Sequence, residues 1–245
     1  MPASQRDLTS AADPLAVLAN QPGVPAAMAA ARDAVDALLR DRGLRRTGPD
    51  DTVESLLRGA AASAALAGSR SSINDLRVGD VDPAAAAAVR VSTELMGLQP
   101  VWRRSPVQAL ARLHALATAS NDELRGRPES ATGAAAMQRL GDVVRAGTRA
   151  PAMMLAAVVH AEVATAGGFG AAAGLVARAA ERLVLVDSGV DPAAVTVPEA
   201  GHARSRQAYE RALAGYGGGG AGGVVGWLLH AADAYAYGVE QSPLL

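Results

Sequence analysis

Residues 151–187, PAMMLAAVVHAEVATAGGFGAAAGLVARAAERLVLVD, decide the fold. They read as an apolar helix, a loop broken by glycines and a second apolar helix, with almost no polar face on either helix. A helix that is apolar all round has to lie inside a bundle. The loop between two such helices is a natural place for a site, because a helix N-terminus offers unpaired N–H groups and the positive end of a dipole to an anion.

The rest of the chain agrees with an all-α reading. Of its 245 residues 50% are hydrophobic and only 3% aromatic, so the core has to be built from Ala, Val and Leu. Alanine favours helix, and few segments show the β-branched alternation of strands. The length fits one sizeable core, so a single helical domain is expected over residues 14–245, after a loose tail at 1–13.

The 23 basic and 24 acidic residues nearly cancel and form no basic face, which argues against a nucleic-acid partner. Every cation is arginine and none is lysine, the mark of a GC-rich, bacterial coding sequence. The absence of cysteine excludes disulfides, thiol nucleophiles and thiolate metal sites. The first residues hold no basic stretch followed by an apolar core, and the longest uncharged run, residues 212–229, is too rich in glycine for a membrane span. A cytoplasmic protein without a membrane partner is expected.

Outside the central pair, the spacing predicts a helix over 25–43 with Met28, Ala31, Val35, Leu38 and Leu39 on one stripe and Gly43 as its C-cap. Asp50 or Asp51 is the expected N-cap of a helix reaching Ala67. After a polar connector over 69–82, Pro83 opens a helix to about Gly97, with Trp102, Arg103 and Arg104 in the next link and Trp102 as a packing residue. Pro106 opens another helix, with Val107, Leu110, Leu113, Leu116 and Ala117 inward. Residues 120–133 read as a polar loop and 134–146 as a short amphipathic helix. Beyond Asp187 the expectation is a link with a few extended residues at 195–197, a helix over 203–213, a flexible glycine run at 216–223 and a last helix over 224–237.

The loop itself has two readings. Gly168, Gly170 and Gly174 have the G-x-G-x-x-x-G spacing of some dinucleotide loops, AAVVHAEVA stands where a strand would precede it, and Asp187 stands where an acid would hold a ribose. That would make the chain an NAD(P)-dependent oxidoreductase. Against it, the run before the loop holds Ala, Met and Glu in helical quantity, and no further strands complete a parallel sheet.

The second reading is a resemblance. His160 to Arg178, HAEVATAGGFGAAAGLVAR, resembles the signature region of Fic-domain (Fido) proteins, an all-α family that typically transfers AMP from ATP to a protein hydroxyl. The family motif, H-P-F-x-[DE]-G-N-G-R-x-x-R, lies between two buried helices. Aligned without a gap, Phe169, Gly174 and Arg178 match it. The family's general-base His falls on Gly167, the following Pro on Gly168, and the variable position on Gly170. Its acidic metal ligand falls on Ala171, the next Gly and Asn on Ala172 and Ala173, and its phosphate-holding Arg on Leu175.

Upstream, Ser63-Ala64-Ala65-Leu66-Ala67-Gly68 resembles the family's inhibitory [ST]-x-x-x-E-[GN] helix but has Ala67 where the Glu belongs. Leu113-His114 looks like a Leu-His pair of the family. The similarity spans about residues 50–237. It implies a Fic-like fold whose transfer chemistry is gone: glycine accepts no proton, alanine holds no Mg²⁺ and leucine neutralises no phosphate.

The expected function is therefore that of a pseudoenzyme, with no catalytic residue and no cofactor, binding an unknown protein partner or serving as a structural module. A homodimer is compatible with its Ala-rich helices, though no heptads support one. The alternative is weak phosphate or nucleotide binding at 167–178 through the helix dipole and Arg178. Structurally, Arg178 is expected to pair with Glu162 or to reach solvent. His160 and His114 read as satisfied core residues, and His202 and His230 lack metal-ligand spacing, so no metal is expected. The pocket beside residues 167–174 should be small, apolar and shallow.

Overall fold

The computed structural model describes residues 13–42, 47–118 and 123–245, and among these it contains helices and turns but no strand. Most of the expected tail and the predicted cap Gly43 lie outside the described residues. Asp13 is no tail residue. Its carboxylate caps α1 (Pro14–Leu18), accepts from Thr148 Oγ1 at 2.7 Å and from the Arg149 N–H at 2.7 Å, and so ties the start of the described chain to a distant turn.

α2 (Val24–Arg42) buries the five residues of its expected stripe. α3 (Pro49–Leu66) begins two or three residues earlier than predicted. Gly48 is its N-cap, and Asp51 reaches back to accept from the Gly48 N–H at 2.8 Å, so the acid serves the cap from inside the first turn. The polar connector contains a short helix, α4 (Ile73–Val78), closed by Gly79 in the left-handed conformation.

α5 (Pro83–Arg104) does not stop near Gly97. It continues through Pro100, which sets Trp102, Arg103 and Arg104 on its last turn rather than in a link. Burial of Leu98, Val101 and Trp102 against the core offsets the cost of an interior proline. A single residue, Ser105, then separates α5 from α6 (Pro106–Ala117), its hydroxyl capping the new helix at the Gln108 N–H. The same device recurs at Ser205, which splits the expected 203–213 helix into α10 (Pro198–Arg204) and α11 (Arg206–Gly217).

α7 (Ala131–Ala146) leads into the central pair, α8 (Ala152–Thr165) and α9 (Ala173–Asp187), joined by a loop with one 3-10 turn at Gly170–Ala172. α8 and α9 lie along each other and are enclosed by α5, α6 and α11, with α12 (Ala221–Glu240) across α8, α10, α11 and α2. Both central helices are buried on nearly every side, as their apolar sequence demands. The helical state of AAVVHAEVA within α8 removes the strand on which the dinucleotide reading depends.

Residues 195–197 belong to no strand; the Thr196 carbonyl accepts from the buried Arg182 and Ser55 side chains. The expected flexible glycine run is mostly helix. α11 reaches Gly217 and α12 starts at Ala221, because Gly215 and Gly223 let the two backbones touch. A Cβ on Gly223 would sit 2.0 Å from the Gly215 carbonyl oxygen. No helix among the described residues is long and apolar enough to cross a membrane.

Candidate functional site

Two places in this bundle gather chemistry, and α9 takes part in both. The first is the loop itself. Gly167 and Gly170 have positive φ, +67° and +46°, and Gly168 lies against the α7 backbone, where a Cβ on Gly133 would come within 2.7 Å of its Cα. Phe169 turns inward, 2% exposed, and packs its ring 4.8 Å from that of His114. Ala171, Ala172 and Leu175 form one wall of a cleft of about 690 Å³ whose other walls include Ala67, Ala87, Arg90 and Arg125. The small, wholly apolar pocket that the sequence led one to expect is therefore not what the structure shows: the cleft is sizeable and has two arginines on its walls.

Arg90 and Arg125 stand on the cleft with their Nε atoms bonded to the carbonyls of Leu116, at 3.0 Å, and Ala115, at 2.8 Å. Neither arginine stood out in the sequence, since each is one of many on a polar surface. Glu129 was missed as well. Its main-chain N–H donates to the Gly168 carbonyl at 2.9 Å, and its carboxylate lies so close over Gly170 that a Cβ there would be 1.7 Å from Oε1.

Arg178 does not pair with Glu162, which instead accepts from the Tyr216 hydroxyl at 2.7 Å. The Arg178 guanidinium is buried. It donates from Nε to Ser63 Oγ at 3.0 Å, from Nη2 to the Ser63 carbonyl at 3.3 Å, and from Nη1 to Tyr209 Oη at 3.1 Å. The structure thus joins the arginine that follows the α8–α9 loop to a serine of α3. Gly68, φ +88°, simply ends α3, and Ala67 borders the cleft.

The second place is a polar cluster inside the bundle. His160 on α8 and His202 on α10 both point a ring nitrogen at Glu181 Oε2 on α9, at 3.0 and 2.9 Å, and all three side chains are fully buried. His160 Nε2 lies 3.0 Å from the Tyr209 hydroxyl, His202 Nδ1 lies 3.2 Å from His230 Nε2, and the Tyr235 hydroxyl donates to Glu181 Oε1 at 2.8 Å. His202 and His230, distant in sequence, are neighbours here. The one clue to this in the sequence was Glu181 with Arg182 in an otherwise apolar run, since a buried charge must find partners.

Burial brings the His160 pKa down to about 4, against the pull of Glu181, and burial with the neighbouring His202 brings His230 to about 4. Burial pushes the Glu181 carboxyl up, but His160 and His202 outweigh it and leave it well below the usual carboxylate range. Near neutrality Glu181 is therefore a carboxylate, and the buried His160 beside it is neutral. Arg182, one residue on, faces elsewhere: it donates to Glu199 at 2.9 Å, to the carbonyls of Ala194 and Thr196 at 2.8 and 2.6 Å, and to Ser55 Oγ. Asp187 closes α9 and accepts from Arg103 and Gln99, so it guards no ribose site.

No protein-family model matches the sequence, and no curated protein does. Among solved structures, a Fic family protein from Desulfovibrio desulfuricans is similar, with a TM-score of 0.71 and 16% sequence identity over 88% of this chain and 73% of that one. With no strand among the described residues and paired central helices around a glycine loop, the chain has the all-α fold of the Fic proteins.

Proposed function

We propose that the chain is a Fic-like protein without AMP-transfer activity, working as a protein-interaction or structural module. The observation that carries this reading is the α8–α9 loop. Its 167, 171 and 175 positions hold Gly, Ala and Leu, and the carboxylate of Glu129 lies over Gly170. Nucleotidyl transfer depends on positioning and on stabilising negative charge, and a carboxylate over the loop opposes a triphosphate rather than holding it. Arg178, the remaining cation of the motif, is already bonded to Ser63 and Tyr209.

The test is incubation of the purified chain, alone and with candidate protein partners, with ATP labelled on the α-phosphate and Mg²⁺ or Mn²⁺. No labelled protein is expected; label that appears in proportion to enzyme and disappears on heat denaturation overturns the reading.

A second reading, weak anion or nucleotide binding without transfer, has one observation in its favour: the cleft of about 690 Å³ has two arginines on its walls. A ligand that binds only the folded state raises the melting temperature by mass action. A rise with millimolar ATP that is lost in Arg90→Gln and Arg125→Gln supports this reading; an unchanged melt removes it. An interaction module can also take a second copy of itself, and a sedimentation coefficient that grows with concentration is the sign of that.

A further inference from the structure

The buried cluster around Glu181 is more elaborate than packing needs. The chain has four histidines, four tyrosines, two tryptophans and one phenylalanine, yet three of the histidines, two of the tyrosines and one tryptophan meet here. Burying a carboxylate among imidazoles is no cheaper than filling the space with apolar side chains, so stability alone does not account for it.

We propose that His160, Glu181 and His202 form a binding site for one divalent transition-metal ion of the zinc type. The donor atoms are His160 Nδ1, Glu181 Oε2 and His202 Nε2, and all lie within 4.8 Å of one another. Two of the separations are 3.0 and 2.9 Å. Bonds of about 2.0–2.1 Å to a tetrahedral ion set donors roughly 3.3 Å apart, so side-chain shifts of a few tenths of an ångström seat these two pairs. Two imidazoles and one carboxylate are a donor set that such ions favour, and they leave one position for a water molecule.

The surroundings support ligation as well as the donors do. Each ligand is held from behind: His160 through Nε2 by Tyr209, His202 through Nδ1 by His230, and Glu181 through Oε1 by Tyr235. Such outer contacts fix ring orientation and tautomer in metal sites. Ligation needs the proton of each imidazole on its far nitrogen. The Tyr209 oxygen and His230 Nε2 can both accept it, so the rings change tautomer without releasing a proton. Trp227 packs against both rings, stacked on His202 and edge-on to His160, which locks their planes. An ion here would join α8, α9 and α10, and this holds whether or not the loop retains any nucleotide chemistry.

Because the site is enclosed, loading is done by unfolding the full chain in guanidinium with chelator and refolding it with zinc, or with Co²⁺ as a spectroscopic probe, followed by gel filtration. The expected result is one equivalent of metal retained, a higher melting temperature than the metal-free protein, and a Co²⁺ d–d spectrum of low coordination number. Imidazole ¹⁵N resonances of the wild type should then shift at His160 Nδ1 and His202 Nε2 and leave His114 unmoved. Folded protein that retains no metal, or metal that shifts His114 instead, overturns the proposal. Glu181→Gln and His202→Gln, where they fold, should lose the retained equivalent, and an undiminished equivalent in either also overturns it.

Discussion

Arg178 sits one turn beyond the loop with its guanidinium folded back beside Gly174, where an added Cβ would be 3.2 Å from Nη1. Its three hydrogen bonds span α3 and α11, so it links helices that do not follow one another in the chain. Hydrogen bonds to a charged donor contribute about 1.5–3 kcal/mol, and loss of a buried partner leaves the acceptors unpaired. Arg178→Ala is therefore expected to lower unfolding free energy by about 2–4 kcal/mol in urea titration, and Ser63→Ala by about 1–2 kcal/mol. An unchanged urea midpoint in Arg178→Ala would show that the guanidinium does not brace the helices. The sequence showed that Arg178 needed a partner, but not which one. Ser63 stands 115 positions away, and serine in an alanine run carries no mark of its role.

At the scale of elements, glycine does two opposite things here. Gly201 on α10 faces α12 so closely that a Cβ would lie 2.1 Å from the Ala234 carbonyl oxygen, whereas Gly97 on α5 has no neighbouring atom within 4 Å of that position. Gly201→Ala should cost about 3 kcal/mol or more, since overpacking against backbone exceeds the helix-propensity gain of about 1 kcal/mol. Gly97→Ala should gain about 0.5–1 kcal/mol. Paired thermal melts check both, and equal shifts in the two variants would refute the argument. The helices themselves were legible from spacing and prolines, because those signals are local. Which helices break at a serine, and which glycines mark a crossing rather than a loop, depended on what lies across the gap. Ser105 and Ser205 each make the same break; Pro106 marks the first in the sequence, and nothing beside Ser205 marks the second.

For the molecule as a whole, the buried imidazoles set a pH response. His160 and His230 titrate near 4 when folded, against about 6.5 in an open chain, so the unfolded state binds more protons between those values. Stability is then fully present above about pH 6.5 and falls on acidification, with a slope of up to about 1.4 kcal/mol per pH unit from His160 and less from the partly exposed His230. Below about pH 4.3 the ionised Glu181 adds to the loss, since its folded pKa lies under that of the unfolded chain. Urea midpoints of the metal-free protein should hold from pH 7.5 to about 6.5 and then fall down to pH 4.5, and the fall should shrink in His160→Gln. A flat profile would mean that the cluster protonates without resistance. The all-α fold and the order of the helices were readable in the sequence because Ala-rich periodicity and the motif loop are continuous stretches. The cluster was not, because His160, Glu181, His202 and Tyr235 come from four helices and meet only in three dimensions.

The contact between α2 and α12 sets a timetable on the ribosome. The stripe of Met28, Val35 and Leu38 is buried in the finished fold, and the helices beside it are α8 and α12. As the chain is made, everything between Arg42 and Ala221 must emerge before α12, which covers most of that face, can dock on it. At about 5–20 residues per second this leaves an apolar helix exposed for on the order of ten seconds or longer. During that interval the nascent chain presents an apolar surface that the folded chain buries.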